Sequence, residues 1–157
     1  MKIDELQEYV QDLLEAHDKF SAVPVTVALD DGSYPKIPER EAALREKGLC
    51  LTVWRVESLG LKTASLSGVF GQFIHLVVVI EENSKVNRAD GGTKITAETA
   101  LTYVQEAITG NPKGGAPNEP ILPSETPFDH MGTVNGVRTI IVNFETTVKT
   151  NPYTPPA

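Results

Sequence analysis

The chain has 157 residues, 40% of them hydrophobic and 22% charged, with 21 acidic against 14 basic side chains and a formal net charge of -7. That size and composition fit one ordinary globular domain with its own core. The acidic balance argues against a broad phosphate-neutralising surface, and so against sequence-specific nucleic-acid binding, while a single cysteine, Cys50, excludes an internal disulfide.

Ile3, Leu6, Val10, Leu13, Leu14 and His17 recur at helical spacing, with Asp4 and Glu5 in the first turn where negative charge suits the dipole. A helix is predicted there, with His17 at its end. "VPVTVAL" then puts Val23, Val25, Val27 and Leu29 on one face of a strand, and Pro24, which lacks an amide donor, favours a sheet edge. After the turn residues "DDGSYP", Pro38, Glu39, Glu41, Arg45, Lys47 and Gly48 mark a short helix whose apolar face is only Ala42, Ala43 and Leu44. "LCLTVWRVE" and "FIHLVVVIEE" are apolar on both faces, the mark of central strands covered on both sides. Cys50 and Trp54 read as core residues of the first. The stretch between them, "SLGLKTASLSGVFGQ", reads as a hairpin connection or a loop with a little strand of its own.

"VNRADGGTKITAETALTYVQEAITGNP" holds a polar Gly-Gly turn and then a helix, capped by Thr96, striped by Ala97, Ala100, Leu101, Val104 and Ile108, and stopped by Gly110 and Pro112. From residue 111 to about 130 the composition turns to Gly, Pro, Asn and Ser without periodicity, which predicts an exposed loop. Asn135-Gly136 between two apolar arms is a hairpin signal, with Ile140, Val142 and Phe144 on one face of the second arm. The order predicts a single α+β domain over residues 1–150, a mixed or mostly antiparallel sheet of about four to five strands with two longer helices and one short helix packed on it. Residues 151–157 form a Pro-rich tail.

The chemical readings are weak. Gly91-Gly92 precedes a helix, but "ADGGTKIT" has neither the dinucleotide fingerprint nor the P-loop spacing, so a simple turn is expected rather than a phosphate cradle. Ser124, Asp129 and His130 are the residue types of a nucleophilic triad, yet no rigid elbow presents the serine, and Asp129 is expected to cap a turn in a polar loop. His17, His75 and His130 lack the spacing of zinc ligands, and His75 reads as a core histidine satisfied within its strand. The pairs Asp30-Asp31 and Glu81-Glu82 read as a solvated rim at strand ends. No catalytic, cofactor-binding or metal-binding residues are assigned, and no deep pocket is expected near His75 or His130. The start lacks a signal-peptide pattern, and the longest apolar run, Leu76 to Ile80, is too short to span a bilayer, so the chain is expected in the cytoplasm.

As a whole the pattern resembles the small tail-terminator, or tail-completion, proteins of tailed bacteriophages and prophages. The resemblance is carried by the N-terminal amphipathic helix, by "FIHLVVVIEEN" leading into "VNRADGGT", and by "AETALTYVQEAITG" followed by a Pro/Gly-rich stretch and a final strand pair. It is one of architecture without a diagnostic residue signature, and the long loop and Pro-rich tail depart from the plain pattern. The resemblance implies a non-enzymatic virion protein without cofactors. It would form a ring, usually of six, that caps the tail tube and presents a surface to the head connector, after assembly in the host cytoplasm. An acidic ring would let DNA pass without holding it. Candidate partner contacts are Asn87, Arg88 and Asp90 in the turn and Pro127, Phe128 and Asp129 in the loop. The alternatives are another neck or minor tail component, or a small ligand-binding or enzymatic α+β domain.

Overall fold

The computed structural model describes residues 3–63, 70–110 and 120–149. Its helices are α1 (Ile3–Glu15), α2 (Asp18–Ala22), α3 (Pro38–Glu46), α4 (Ser84–Asn87) and α5 (Ala97–Ile108), and its strands are β1 (Thr26–Leu29), β2 (Leu49–Val53), β3 (Glu57–Thr63), β4 (Phe70–Asn83), β5 (Leu122–Val134) and β6 (Val137–Lys149). The strands form one sheet in the order β1-β2-β4-β6-β5, and β3 pairs with the first half of β4. Only the β1–β2 pair is parallel, so the sheet is mixed and mostly antiparallel, in the expected α+β class.

Residue type explains the layering. On β4, Ile74, Leu76, Val78 and Ile80 alternate onto one face and meet Leu51 and Val53 of β2, Ile140, Val142 and Phe144 of β6, and the stripes of α1 (Leu6, Val10, Leu14) and α5 (Ala97, Ala100, Val104, Ile108). Each of the Val, Leu, Ile and Phe side chains, fully withdrawn from water, contributes roughly 1.5–3 kcal/mol of transfer free energy. The opposite face is covered at the β1–β2 end by α3, where Ala28, Ile37, Ala43, Leu44 and Cys50 form a smaller cluster. Both strands read as central therefore have neighbours on each side. Cys50 is the buried hydrophobe expected, and burial pushes its thiol up to about 11. Trp54 is only half-buried, against the ring of Tyr34.

The local signals hold at α5 and at the hairpin. The Thr96 hydroxyl accepts from the Thr99 amide at 3.2 Å, and Gly110 follows the helix with φ +76°. Asn135 and Gly136, at φ 53° and 77°, make the tight turn that suits the twist of the flanking strands.

Three expectations are corrected. β1 starts at Thr26 rather than Val23: the helical turn α2 intervenes, the Val25 amide donates to the Phe20 carbonyl, and Val23 stays exposed while Phe20 enters the core. His17 does not end α1. It caps α2, its Nδ1 accepting from the Lys19 amide, with Nε2 3.1 Å from Glu106. Residues 122–130, expected in a loop, belong to β5, whose Pro123 and Pro127 are tolerated because β5 is an edge strand with irregular register from Pro123 to Phe128. Residues 111–119 and 151–157 lie outside the described residues.

Candidate protein interface

The end of β4 and the turn after it are built around two carboxylates. Glu81 and Glu82, adjacent on a strand, point to opposite faces, and each is 2% exposed. The solvated rim expected of them is therefore wrong, because α3 covers one and the N-terminus of α5 the other. Glu81 takes a two-pronged contact from the Arg40 guanidinium, at 2.6 Å for the Nε bond, and that guanidinium lies over the ring of Tyr34. Burial, with Glu81 adding to it, pushes the Tyr34 hydroxyl up to about 12. Asp30 and Asp31 instead make the expected turn: their Oδ1 atoms accept from the amides of Gly32 and Ser33.

Glu82 organises the turn. Its Oε1 accepts from the Ala97 amide at the first position of α5 at 3.1 Å, and its Oε2 accepts from Asn87 Nδ2 at 2.7 Å. Asn87 also donates to the Ile95 carbonyl at 2.8 Å and accepts from the Thr93 hydroxyl. An anion is favoured at a helix N-terminus, and here the protein's own carboxylate supplies it. Gly92 is needed for close approach: a Cβ there would overlap the carbonyl oxygens of Val86 and Asn87, whereas Gly91, at φ +87°, faces open space. The Gly-Gly pair is thus a turn folded over a polar hub.

This arrangement sorts the candidate contact residues. Asn87 is completely buried, and its side chain shapes the turn. Arg88 and Asp90 are exposed, Arg88 with its Nε 3.8 Å from Glu82. Pro127, Phe128 and Asp129 lie on β5 rather than in a loop, with Phe128 38% exposed and its ring against His130. β5 is exposed on both faces along nearly all its length, and Leu122, Met131 and Val134 stand in solvent with Phe128.

The triad candidates are not brought together. Asp129 pairs across to Ile141 and His130 to Ile140, so the two neighbours point to opposite faces; the Ser124 hydroxyl donates to the Thr126 carbonyl, and His130 contacts Arg138. His75 is half-buried and bonded to Asn143 at 3.3 Å, as a satisfied strand histidine would be. It also lines an open depression of about 340 Å³ with Ser124, Glu125, Thr126, Asn143 and Glu145. No deep pocket was expected near His75, and this one is shallow. Among the described residues no group of three or more His, Cys, Asp or Glu could hold a metal ion, and no helix is long and apolar enough to cross a membrane.

Sequence reasoning missed Arg40, Glu81, Glu82, Thr93 and the burial of Asn87. One signal was present: Glu81 and Glu82 prolong a strand already read as covered on both faces.

No protein-family model matches the chain, and no curated protein matches it in sequence. A match in three dimensions exists. The fold is shared with a chain from a structure described as the virion of a native gene transfer agent (GTA) particle, at a TM-score of 0.60 and 14% identity, over 92% of this chain and 95% of that one. At that identity the likeness is one of fold.

Proposed function

We propose that the protein is a virion structural component of the tail-terminator or tail-completion type, assembling as a ring of six subunits that caps a tail tube and joins it to the head connector. The observation that carries the reading is the fold shared over nearly the whole of both chains with a component of a virion particle. The element order that resembles phage tail terminators supports it independently. The fold also supplies what such a role needs: a rigid sheet with two presented surfaces, the turn bearing Arg88 and Asp90 and the exposed strand bearing Phe128 and Asp129. In this reading the protein assembles in the host cytoplasm, ends in the virion, has no enzymatic activity and needs no cofactor. Its acidic character lets DNA pass through the ring.

The test is tube capping. A tail tube protein from the same genome is polymerised with and without the purified chain, and tubes are measured by electron microscopy. Shortened tubes bearing density at one end are expected; unaltered lengths with bare tips would remove the terminator role. Arg88→Glu and Phe128→Ala should each weaken capture by tube protein, and unchanged capture would clear both residues. Another neck or minor tail role is separated by capture on connector protein without effect on tube length.

A further inference from the structure

The turn described above collects four cationic side chains. Lys47 is tied to it by its carbonyl, which accepts from the Thr93 amide, and by its Nζ, which reaches the Gly91 carbonyl; Lys94 is tied by its amide, which donates to the Asn87 carbonyl. Lys85 lies in α4 and Arg88 follows it. All four side chains are exposed, with Asp90 among them, in a chain whose formal net charge is -7. Neither Lys47, Lys85 nor Lys94 has an ion-pair partner among the described residues.

The opposite charge is gathered on another surface. α1 contains no Lys or Arg, and Glu5, Glu8, Asp12 and Glu15 are all exposed at spacings of three and four, which puts them on one stripe. The stripe works against its own helix, since like charges three and four apart repel and carboxylates near the C-terminus oppose the dipole. Glu8, Asp12 and Glu15 find no cation among the described residues.

We propose that the cationic turn of one copy docks against the acidic face of α1 on a second copy. This deepens the ring reading and rests on it. The two patches are different parts of the chain, α1 lying over one face of the sheet and the turn closing the end of β4, so the contact is head-to-tail. Head-to-tail contacts close into rings when the rotation permits. The charges also supply steering and register, while apolar burial elsewhere in the interface supplies affinity.

The test is a charge swap on the full chain, read by sedimentation and light scattering over a salt series. Wild type should associate at low salt and dissociate as salt rises. Lys85→Glu with Arg88→Glu, or separately Glu8→Lys with Asp12→Lys, should weaken association by on the order of tenfold or more. Mixing the two reversed variants should restore it, which no misfolded variant could do. The proposal is overturned if wild type stays monomeric at low salt, if either reversal leaves association unchanged, if the mixture does not recover, or if reversing the cations abolishes only retention of duplex DNA. A ring that survives both reversals removes this contact but leaves tube capping intact. Salt-sensitive rings that never cap a tube remove the terminator role and leave the contact.

Discussion

Replacing Asn87 by Asp changes almost no volume, yet it sets a carboxylate where the Asn87 amide now donates to Glu82 Oε2 at 2.7 Å. Two charged carboxylates centred about 4 Å apart repel by ~4 kcal/mol at an effective dielectric of about 20, and the lost bond to a charged acceptor adds roughly 1.5–3 kcal/mol. The pair escapes part of this cost by sharing a proton, so the folded state holds a proton that the unfolded chain, with an aspartate near 3.9 and a glutamate near 4.3 on ordinary values, has released at neutral pH. A folded pKa raised above its unfolded value means that stability falls as pH rises through that window and returns on acidification, by up to about 1.4 kcal/mol per pH unit. We therefore expect Asn87→Asp to lose about 5 kcal/mol at neutral pH, a large share of a typical 5–15 kcal/mol domain, and to recover at most about 3 kcal/mol of it relative to wild type near pH 5. Urea unfolding followed by circular dichroism at both pH values measures this. A deficit below about 1 kcal/mol at neutral pH, or one that does not shrink on acidification, would refute the assignment of Asn87 as the hub of the turn.

Three further outcomes follow from the same geometry. Gly92→Ala should cost well over the ~1–2 kcal/mol strain expected at Gly91→Ala, because the first meets backbone oxygens and the second meets open space at φ +87°; thermal melts of the two variants side by side check the order, and equal losses would contradict it. Arg40→Ala should cost about 3–5 kcal/mol by leaving the Glu81 carboxylate buried without its partner, and combining Arg40→Met with Glu81→Leu should recover most of that loss; chemical denaturation of the single and the double variant beside wild type tests it. Because burial holds the Cys50 thiol at about 11 rather than 9.0, native protein should resist iodoacetamide at mildly alkaline pH and react on unfolding, and the thiol's contribution to stability should be lost as pH rises from about 9 towards 11.

The longer helices α1, α3 and α5 were legible in the sequence from their periodic buried residues and end signals, whereas the single turns α2 and α4 are too short to show a period. β4 was legible for the opposite reason, that both its faces are covered. The first part of β5, residues 122–130, was not, since a strand exposed on both faces shows no alternation, and Pro123 and Pro127 imitate a loop. The candidate contact residues divided along the same line. Exposure of Arg88 follows from its place in a polar turn, whereas the burial of Asn87 beside it depends on Glu82, Thr93 and the start of α5, which only the closed turn brings together. The pairing of Glu81 with Arg40 spans 41 residues and leaves no local trace.

The exposure of β5 on both faces has an evolutionary consequence. Its outward side chains contribute little to the folding free energy, so substitutions there are nearly invisible to selection for stability and answerable chiefly to whatever the strand touches. The α1–α5 layer and β4 are constrained by packing, while β5 can be rewritten residue by residue to fit a new neighbour. A scaffold divided in this way can keep its backbone while one strand's surface changes, and a fold shared at 14% identity is compatible with such a division.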